Sequence, residues 1–508
     1  MKITLINTNN YKKPWPVMPI GLCMVAAALE GEGHEVNFVD LCFSKRPLQT
    51  IEEAFQNNTP DCVGIGIRNI DNCVGHNPEF LLGDTKKMID QCKKMYKGPI
   101  ILGGAAVSIN TEEILEFLDL NFASCGDGEA VMNEVANRLE NGQSFEGVRG
   151  LTIRENGSII QQAEHVFDTD VNTLNMCKPH RYIDIDGYAQ FDLPIQIQTK
   201  RGCALKCNYC PNRFIEGGNY RLMDPQKIAD HIEILVKETG IKRIEFVDST
   251  FNIPLSHSKD VLRAIIDKNL GIGLNALGLH PNGIDEEFVE LMDQAGFEVA
   301  TVGIDAASDT TLKDMHKGFR QEKIIKIKEL LKRKSFPIAW YLLMGTEAES
   351  YRTVMESLEF MSKNDDPWDC VFIAVGLRIY KGSPLADRIL DEKPESVKNG
   401  FLSPAVVHPI LDIDSIKIVT KHYAISQPNF VIYNDEKTPE VMHKMGFAFV
   451  KRFAPKMPVW RIIIFFETIN KFTGVLLIKR LFYSLFHFRT LRDAKHSEPG
   501  LERLETAQ

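Results

Sequence analysis

The stretch Arg201-Gly202-Cys203-Ala204-Leu205-Lys206-Cys207-Asn208-Tyr209-Cys210 contains the only tight group of cysteines in the sequence. It follows the apolar run Ile195–Thr199, which predicts a β-strand. Three thiolates at this spacing can converge on one soft metal centre. Zinc would need a fourth thiolate or imidazole at matching spacing, and the neighbouring sequence offers none. A [4Fe–4S] cluster normally takes four thiolates, so three would leave one iron open to substrate or cofactor. Purely structural cysteines are the alternative, which the strand–loop context and the glycine before Cys203 argue against.

Outward from this loop, the chain alternates strands and helices in both directions. Towards the C-terminus we expect six strands with helices between them, an arrangement that fits a partial barrel as well as an open sheet. The predicted strands are Ile195–Thr199, Arg243–Val247, Gly273–Ala276, Val299–Ile304, Ile338–Met344 and Val371–Leu377.

Towards the N-terminus, residues 1–145 predict βαβ units and a parallel sheet, with ligand loops at the carboxyl ends of the strands. The expected strands are Lys2–Asn7, Glu35–Asp40, Cys62–Ile67, Ile100–Gly103 and Asn121–Cys125. The glycine pairs Gly103-Gly104 and Gly126-Asp127-Gly128 lie at such ends, where tight turns alone would also explain them. Between residues 146 and 190 we expect a connector, in which Asn156-Gly157 predicts a β-hairpin turn.

Composition and charge exclude several classes of protein. The 508 residues are 44% hydrophobic and 25% charged, as in an ordinary folded chain of two to four domains. The net charge of −9 argues against a dedicated nucleic-acid-binding protein. The 11 cysteines are an odd number and mostly scattered, which favours a reducing, cytoplasmic setting with buried free thiols, Cys177 among them. No apolar run is long enough to predict a membrane-spanning helix, and the N-terminus reads as a strand.

The C-terminal segment 451–489 departs from this acidic average. It carries eight lysines and arginines against one acid, Glu467, and aromatic and aliphatic residues alternate with these charges. A basic helix with an apolar face can lie in a membrane interface, whereas a helix packed on the barrel with its basic face in water would show the same pattern. The segment therefore leaves peripheral membrane contact and simple packing open.

The Cys-x3-Cys-x-aromatic-Cys pattern of the cysteine loop, with Tyr209 at the aromatic position, resembles that of the radical S-adenosylmethionine enzymes. The resemblance implies that Cys203, Cys207 and Cys210 bind a [4Fe–4S] cluster whose open iron chelates S-adenosylmethionine. One-electron reduction then yields a 5′-deoxyadenosyl radical that abstracts hydrogen from substrate. It also implies an external reductant of the flavodoxin or ferredoxin type.

Later segments resemble the cofactor-binding strands of the same family. Their candidate residues for S-adenosylmethionine are Asp248 and Ser249 after the second barrel strand, Gly303, Asp305 and Ser308 at the fourth, and Gly345 at the fifth. The chain departs from the family in having Asp305 where glutamate is usual, and in lacking the proline that normally follows Gly345. A hydrogen bond from a carboxylate to a ribose hydroxyl survives the change to aspartate.

The N-terminal region resembles the cobalamin-binding domain that precedes the barrel in one class of these enzymes. The resemblance rests on Met18-Pro19-Ile20-Gly21-Leu22, Gly33-His34-Glu35-Val36, Leu102-Gly103-Gly104 and Gly126-Asp127-Gly128-Glu129. It makes Gly103, Gly104, Gly126 and Gly128 candidate cobalamin contacts. Asn7-Thr8-Asn9-Asn10-Tyr11 replaces the histidine motif that would supply a cobalt ligand, so we expect base-off cobalamin. His76 follows the third strand and reads as an ordinary loop histidine.

Together these interpretations predict an α/β protein of four parts. They are a Rossmann-like cobalamin-binding domain (1–145), a connector with a hairpin (146–190), a partial (β/α)6 radical S-adenosylmethionine barrel (191–390) and a mostly helical C-terminal region (391–508). The resemblance implies methyl transfer to an unactivated carbon from methylcobalamin. Cyclisation, rearrangement or oxidation without methyl transfer, and a non-catalytic cobalamin-binding protein, are the alternatives. The substrate is a small molecule or a lipid.

Overall fold

The computed structural model describes residues 1–13, 15–176, 178–332, 334–363, 366, 368–397, 400–433 and 460–497. The expectation of a free thiol at Cys177, and the first part of the basic segment, 451–459, lie outside these residues. The described chain contains two seven-stranded sheets and a helical C-terminal region.

The first sheet is parallel through its first five strands, in the order β2-β1-β3-β4-β5. Its strands are Lys2–Asn7 (β1), Glu35–Asp40 (β2), Cys62–Gly66 (β3), Ile100–Gly103 (β4) and Phe122–Ser124 (β5). The helices are Ile20–Gly31 (α1), Pro47–Asn57 (α2), Leu82–Met95 (α3), Ala105–Ile109 (α4), Thr111–Leu118 (α5) and Gly128–Glu140 (α6). One face packs on α1 and α6 and the other on α2, α3 and α5, so both faces are covered.

The expected hairpin belongs to this sheet instead of standing in an independent connector. Leu151–Glu155 (β6) pairs antiparallel with β5, and Ser158–Gln161 (β7) pairs with β6. Asn156 and Gly157 both have positive φ, 50° and 83°, which is the turn geometry that Asn-Gly favours. The two added strands close the edge of the sheet that β5 would otherwise expose.

The second sheet is parallel throughout, in the order β8-β11-β12-β13-β14-β15-β16. The strands of this part of the chain are Ile195–Ile197 (β8), Lys200–Arg201 (β9), Arg221–Leu222 (β10), Arg243–Phe246 (β11), Gly273–Leu279 (β12), Phe297–Asp305 (β13), Ile338–Met344 (β14), Cys370–Val375 (β15) and Phe430–Ile432 (β16). All six predicted strands are present, with ends shifted by up to three residues. The seventh, β16, was not predicted, and neither was the β9–β10 ribbon.

Helices cover the outer face of this sheet and enclose the largest apolar core of the molecule. They are Ile185–Ala189 (α7), Pro225–Thr239 (α9), Leu255–Lys268 (α10), Glu286–Ala295 (α11), Asp309–Asp314 (α12), Gln321–Leu331 (α13), Tyr351–Ser362 (α14) and Ile413–Ala424 (α16). The same part of the chain also contains Asn212–Glu216 (α8) and Pro384–Glu392 (α15), and α15 packs in a separate, smaller apolar cluster. Short 3-10 turns lie at Val171–Thr173, Pro179–Arg181, Pro281–Gly283 and Pro394–Val397.

The C-terminal region ends in three further helices, Trp460–Phe472, Val475–Phe486 and Phe488–His496. They are anchored by Ile464, Leu476 and Ala494, each at most 4% exposed. No helix of the described residues is long and apolar enough to cross a bilayer.

Candidate active site

The three cysteines lie in the loop between the β9 strand and helix α8, at the carboxyl end of the second sheet. Cys203 is buried, and its backbone amide donates to the Gly217 carbonyl at 3.0 Å, while Cys207 and Cys210 are partly exposed. Burial raises the pKa of all three thiols, that of Cys210 to about 12, and the thiols influence one another electrostatically. Each is therefore a protonated thiol at neutral pH unless a cation displaces its proton.

The donor set of the loop fits an iron–sulfur cluster better than a single ion. No group of three histidine, cysteine or acidic side chains in the described part of the chain is arranged to hold one metal ion. In a four-iron cube the three thiolates bind three different irons, so their sulfur atoms stand farther apart than the ligands of a single metal ion. The fit rests on the chemistry of three neighbouring thiols without a fourth.

Tyr209 connects the cysteine loop to the end of strand β13. Its hydroxyl donates a short hydrogen bond to the Asp305 carboxylate, which also accepts from Lys317 Nζ at 2.7 Å. Burial opposes the charge on Asp305, but the Lys317 ammonium and the Tyr209 hydroxyl hold the pKa of that carboxyl below its ordinary value. Two of the predicted cofactor residues are thus brought together beside Cys207, with Asp305 already occupied by protein partners.

Asp248 supports the strand that leads into the cysteine loop. Its carboxylate accepts hydrogen bonds from the Thr199 amide and hydroxyl, both at 2.8 Å, and lies 3.7 Å from Lys200 Nζ. The neighbouring Ser249 hydroxyl donates to Glu216 at 2.7 Å, and burial raises the pKa of the Glu216 carboxyl. Asp248 therefore acts here as a positioning residue beneath the loop.

The remaining candidates for S-adenosylmethionine lie at the ends of β13 and β14. Gly303 is on the inner face of β13, and Ser308 is buried, with its hydroxyl donating to Glu356 at 2.7 Å. Gly345 has a φ of 107°, and its amide donates to the buried Glu349 at 3.1 Å. The positive φ favours glycine at this position, and a Cβ there would also lie 2.9 Å from Ile413 Cδ1 and 3.2 Å from the Gly376 backbone.

At the carboxyl edge of the first sheet, the glycines surround an unsatisfied hydroxyl. Ser124 Oγ, at the end of β5, is buried without a hydrogen-bond partner in the described structure. A Cβ placed on Gly103 would be 4.0 Å from Ser124 Cβ, and one on Gly128 would be 4.0 Å from Ser124 Oγ. Gly104 has a φ of 103° and packs on the Ile67 carbonyl so closely that a Cβ would lie 2.5 Å from it. A narrow cradle with an orphan polar atom fits a polar cofactor group.

The acids of the Gly126-Asp127-Gly128-Glu129 segment do not line this cradle but reach across to the barrel. Arg201, immediately before the cysteine loop, donates to both oxygens of Glu129, at 2.6 and 3.0 Å, and to Asp127 at 3.2 Å. Arg221 of the β9–β10 ribbon also pairs with Asp127. Arg201, Asp127 and Glu129 are all less than 10% exposed, so this is a buried ion-pair network. It joins the edges of the two sheets next to the cysteines.

A second contact joins the loop after β3 to the end of β15. The Asp71–Arg378 ion pair is 2.7 Å long and almost fully buried, and His76 Nδ1 lies 3.1 Å from the Val375 carbonyl. Gly75 and Gly376 pass so closely that a Cβ on Gly75 would lie 2.2 Å from the Gly376 carbonyl oxygen. With the Arg201 network, this contact makes the carboxyl edges of both sheets face each other.

Sequence reasoning missed the charged partners of the site. Lys317 lies after α12, outside any sequence motif. Arg201 lies at the end of β9 and Arg378 after β15, and no residue pattern distinguishes either from an ordinary surface arginine. Their importance comes from partners 12, 72 and 307 residues away along the chain. The only sequence signal was the position of Arg201 next to a cysteine motif.

Comparison with known protein families identifies both halves of this arrangement. A model described as the Radical SAM superfamily matches residues 197–361, and a model described as the B12 binding domain matches residues 14–136. The first covers the barrel strands β11–β14 and the cysteine loop, and the second covers β2–β5.

Individual relatives are distant. The tryptophan 2-C-methyltransferase of Streptomyces laurentii is 24% identical over 63% of this chain, which spans about three fifths (61%) of that protein's length. The solved methyltransferase TsrM from Kitasatospora setae, with cobalamin and a [4Fe-4S] cluster bound, has a TM-score of 0.70 at 22% identity, over 77% of this chain and 75% of that one. The cobalamin-dependent S-adenosylmethionine radical enzyme OxsB has a TM-score of 0.66 at 15% identity, over 97% and 80%. These likenesses establish the fold.

Proposed function

Because this chain belongs to the radical S-adenosylmethionine proteins that carry an N-terminal B12-binding domain, we propose that it is a cobalamin-dependent methyltransferase acting on an unactivated carbon. The observation that carries the proposal is the meeting of the two carboxyl edges. The Arg201–Glu129 and Asp71–Arg378 pairs hold the cysteine loop against the glycine-rich edge of the first sheet. Ligands held at the two edges would therefore share one enclosed space.

In this proposal Cys203, Cys207 and Cys210 hold the [4Fe–4S] cluster, and the cradle of Gly103, Gly104 and Ser124 receives part of the cobalamin. When bound, these groups and S-adenosylmethionine supply a carbon-centred radical and a transferable methyl group. The predicted contacts to S-adenosylmethionine are Tyr209, Asp248, Ser249, Gly303, Asp305, Ser308 and Gly345, and those to cobalamin include Gly126 and Gly128. We infer that the cobalamin is base-off without a protein histidine on cobalt, since the segment directly after β1, residues 8–19, contains no histidine. We keep the four parts predicted from the sequence, with the hairpin of the 146–190 segment paired to the first sheet.

In this proposal the protein's own residues position the cysteine loop and the cofactor-binding turns and keep water out of the space between the two sheets. Asp248 and Glu216 brace the cysteine loop from below, and Glu349 holds the turn at Gly345. Lys317 keeps the Asp305 carboxylate charged and oriented at the edge of β13. Proteins with a radical S-adenosylmethionine domain need an external one-electron reductant and a small-molecule substrate, and we assign both as partners of this chain.

The proposal is tested on protein reconstituted anaerobically with iron, sulfide and cobalamin. We expect a base-off cob(II)alamin signal in the electron paramagnetic resonance spectrum, and after dithionite a reduced [4Fe–4S] signal that changes when S-adenosylmethionine is added. With reduced cobalamin, S-adenosylhomocysteine should accumulate in proportion to the bound cobalamin, because methyl transfer to cobalt needs no second substrate.

Each outcome separates the candidate functions. Both cofactor signals without S-adenosylhomocysteine would favour a radical reaction without methyl transfer, which OxsB's description as a radical enzyme leaves open. A cluster signal without bound cobalamin would contradict the role of the first sheet. Cobalamin binding without a cluster would indicate a non-catalytic cobalamin-binding protein.

We further propose that the C-terminal helices contact the surface of an anionic lipid bilayer. Large apolar side chains stand in solvent along them, among them Phe472, Leu477 and Phe486, at 86%, 73% and 83% exposure. Exposed cations flank this apolar face, namely Lys471, Lys479, Arg489 and Arg492. Such a combination suits insertion at the headgroup boundary, with the cations facing anionic lipids. Residues 451–459 of the predicted contact segment, 451–489, lie outside the described part of the chain.

Vesicle flotation tests this contact. We expect the full chain to float with vesicles of phosphatidylcholine and phosphatidylglycerol and to float much less with phosphatidylcholine alone or at high salt. The triple variant Phe472→Ser, Leu477→Ser, Phe486→Ser should lose flotation while keeping its melting temperature, since these side chains are already in water. Ile410→Ser, which changes a side chain that is 70% exposed elsewhere, serves as the matched control.

Equal flotation of the triple variant and the control would overturn the membrane contact. Association of the unmodified chain into dimers without lipid, abolished by the triple variant, would instead identify the face as an interface between copies.

A further inference from the structure

The inner face of the barrel carries a row of polar side chains that the proposed chemistry does not use. Gln196, Glu245 and Asn275 occupy aligned positions on the neighbouring strands β8, β11 and β12. Their chain neighbours on the other face, such as Ile244 and Phe246, belong to the core under the helices. The three polar side chains therefore point into the barrel.

This polar row is incompletely satisfied. Glu245 is only 9% exposed, and one carboxylate oxygen accepts from Gln196 Nε2 at 2.9 Å. Among the described residues this is the one hydrogen bond of the Glu245 carboxylate, and Asn275 Oδ1 is buried without a hydrogen-bond partner. The wall thus offers two hydrogen-bond acceptors to whatever occupies the barrel interior.

The opposite wall is aromatic. Tyr341 of β14 and Phe372 of β15 are aligned, with ring centroids 5.1 Å apart at an angle of 23°. Both residues stand at the alternate positions of their strands that do not pack under the helices, and the Tyr341 hydroxyl lies within electrostatic reach of Glu245.

The aromatic wall keeps some solvent exposure on its inner face. Trp340 and Ile373, which point towards the helices, are 0% exposed, whereas Tyr341 and Phe372 on the inner face keep some exposure. The nearby cation Arg243 is engaged by Glu298 at 2.7 Å and by Asp192. The interior therefore presents acceptors, one carboxylate and aromatic rings, without a free cation in its described lining.

We propose that this interior binds the substrate of the enzyme, and that the substrate is an amine with an apolar or aromatic body. Its N–H donors bind Glu245 and Asn275, and its body lies against Tyr341 and Phe372. A carboxylate or phosphate in the same place would face the Glu245 carboxylate and the Asn275 acceptor without a compensating cation. The identification of this ligand as substrate rests on the proposed function, whereas its chemical class rests on the wall itself.

The test compares two probes of similar size and opposite charge, 2-phenylethylamine and phenylacetate, by calorimetry and ligand-detected nuclear magnetic resonance on the reconstituted protein. We expect the amine to bind at least about tenfold more tightly, since a charge-assisted hydrogen bond contributes about that factor. Glu245→Gln keeps the shape and the contact with Gln196 and should weaken amine binding about tenfold. Glu290→Gln, on the exposed side of α11, is the matched control and should change nothing.

Three results would overturn the proposal: equal affinity for both probes, tighter binding of phenylacetate, or unchanged amine binding in Glu245→Gln. If Glu245→Gln does not fold, Asn275→Leu replaces it and should also weaken amine binding without weakening phenylacetate. Formation of 5′-deoxyadenosine, assayed without substrate, tells the two proposals apart. If the protein cleaves S-adenosylmethionine but does not prefer the amine, this inference alone is contradicted. If it prefers the amine but does not cleave S-adenosylmethionine, the proposed function alone is contradicted.

Discussion

Replacing Cys203, Cys207 or Cys210 by alanine should abolish the cleavage of S-adenosylmethionine to 5′-deoxyadenosine in the reduced, reconstituted protein. The expected loss is at least about a thousandfold, because the three thiols act as one unit and removing any member removes the whole function. Iron content should fall in parallel, since each variant removes one of the three thiols that hold the proposed cluster. The measurement is product formation by liquid chromatography, with iron quantified in the same samples.

The matched control is Cys92→Ala. Cys92 is a buried thiol of helix α3, 1% exposed, and it packs in the apolar core of the first domain. Its replacement should cost about 1 kcal/mol or less of stability and leave cleavage unchanged. Cleavage that survives in any of the three loop variants would refute the assignment of the cluster, whereas equal losses in Cys92→Ala would point to a general loss of folding.

Replacing Arg201 by methionine should destabilise the protein by about 3–5 kcal/mol, because Glu129 remains as a buried charge without its partner. Asp127 still pairs with Arg221 in this variant, so the loss of folding free energy comes mainly from the unpaired Glu129 carboxylate. The expected readout is a lower midpoint of urea unfolding, together with faster hydrogen exchange in the segments that hold Glu129 and the cysteine loop. The weakened joint should also lower cobalamin retention, since both edges line the shared space.

A surface ion pair provides the control for Arg201. Arg149 pairs with Asp168 at 3.0 Å, but the two side chains are 79% and 51% exposed, so Arg149→Met should change stability by less than about 1 kcal/mol. The double variant Arg201→Met, Glu129→Leu should recover most of the stability, because it removes both charges together. If Arg201→Met and Arg149→Met behave alike, the buried network does not join the two sheets.

Much of the fold could be predicted because it depends on local patterns. The parallel strands are short apolar runs, and the hairpin turn is an Asn-Gly pair whose backbone takes positive φ at both residues. Strand β16 and the β9–β10 ribbon were missed. Strand β16 has three residues, and β9 and β10 have two each. Elements this short carry too little periodicity to stand out.

The candidate site likewise has a part that the sequence predicted and a part that it did not. The three cysteines are neighbours in sequence, so their spacing alone predicted a metal-binding loop, and the family resemblance implied that it holds a [4Fe–4S] cluster. Asp305 was predicted from resemblance, but its occupation by Tyr209 and Lys317 was not, because those side chains meet only when β13, α12 and the cysteine loop pack together.

The sequence by itself determined the three-cysteine loop, most strands of the two sheets and the basic, apolar C-terminal segment, since each depends on residues close together in the chain. Only the tertiary structure decided that Asp127 and Glu129 pair with arginines of the barrel, that Asp71 pairs with Arg378, and that Glu245, Asn275 and Tyr341 face one interior. The physical reason is that a buried charge or polar atom acquires its role from the partner that satisfies it. Those partners lie tens to hundreds of residues away, where no spacing rule connects them.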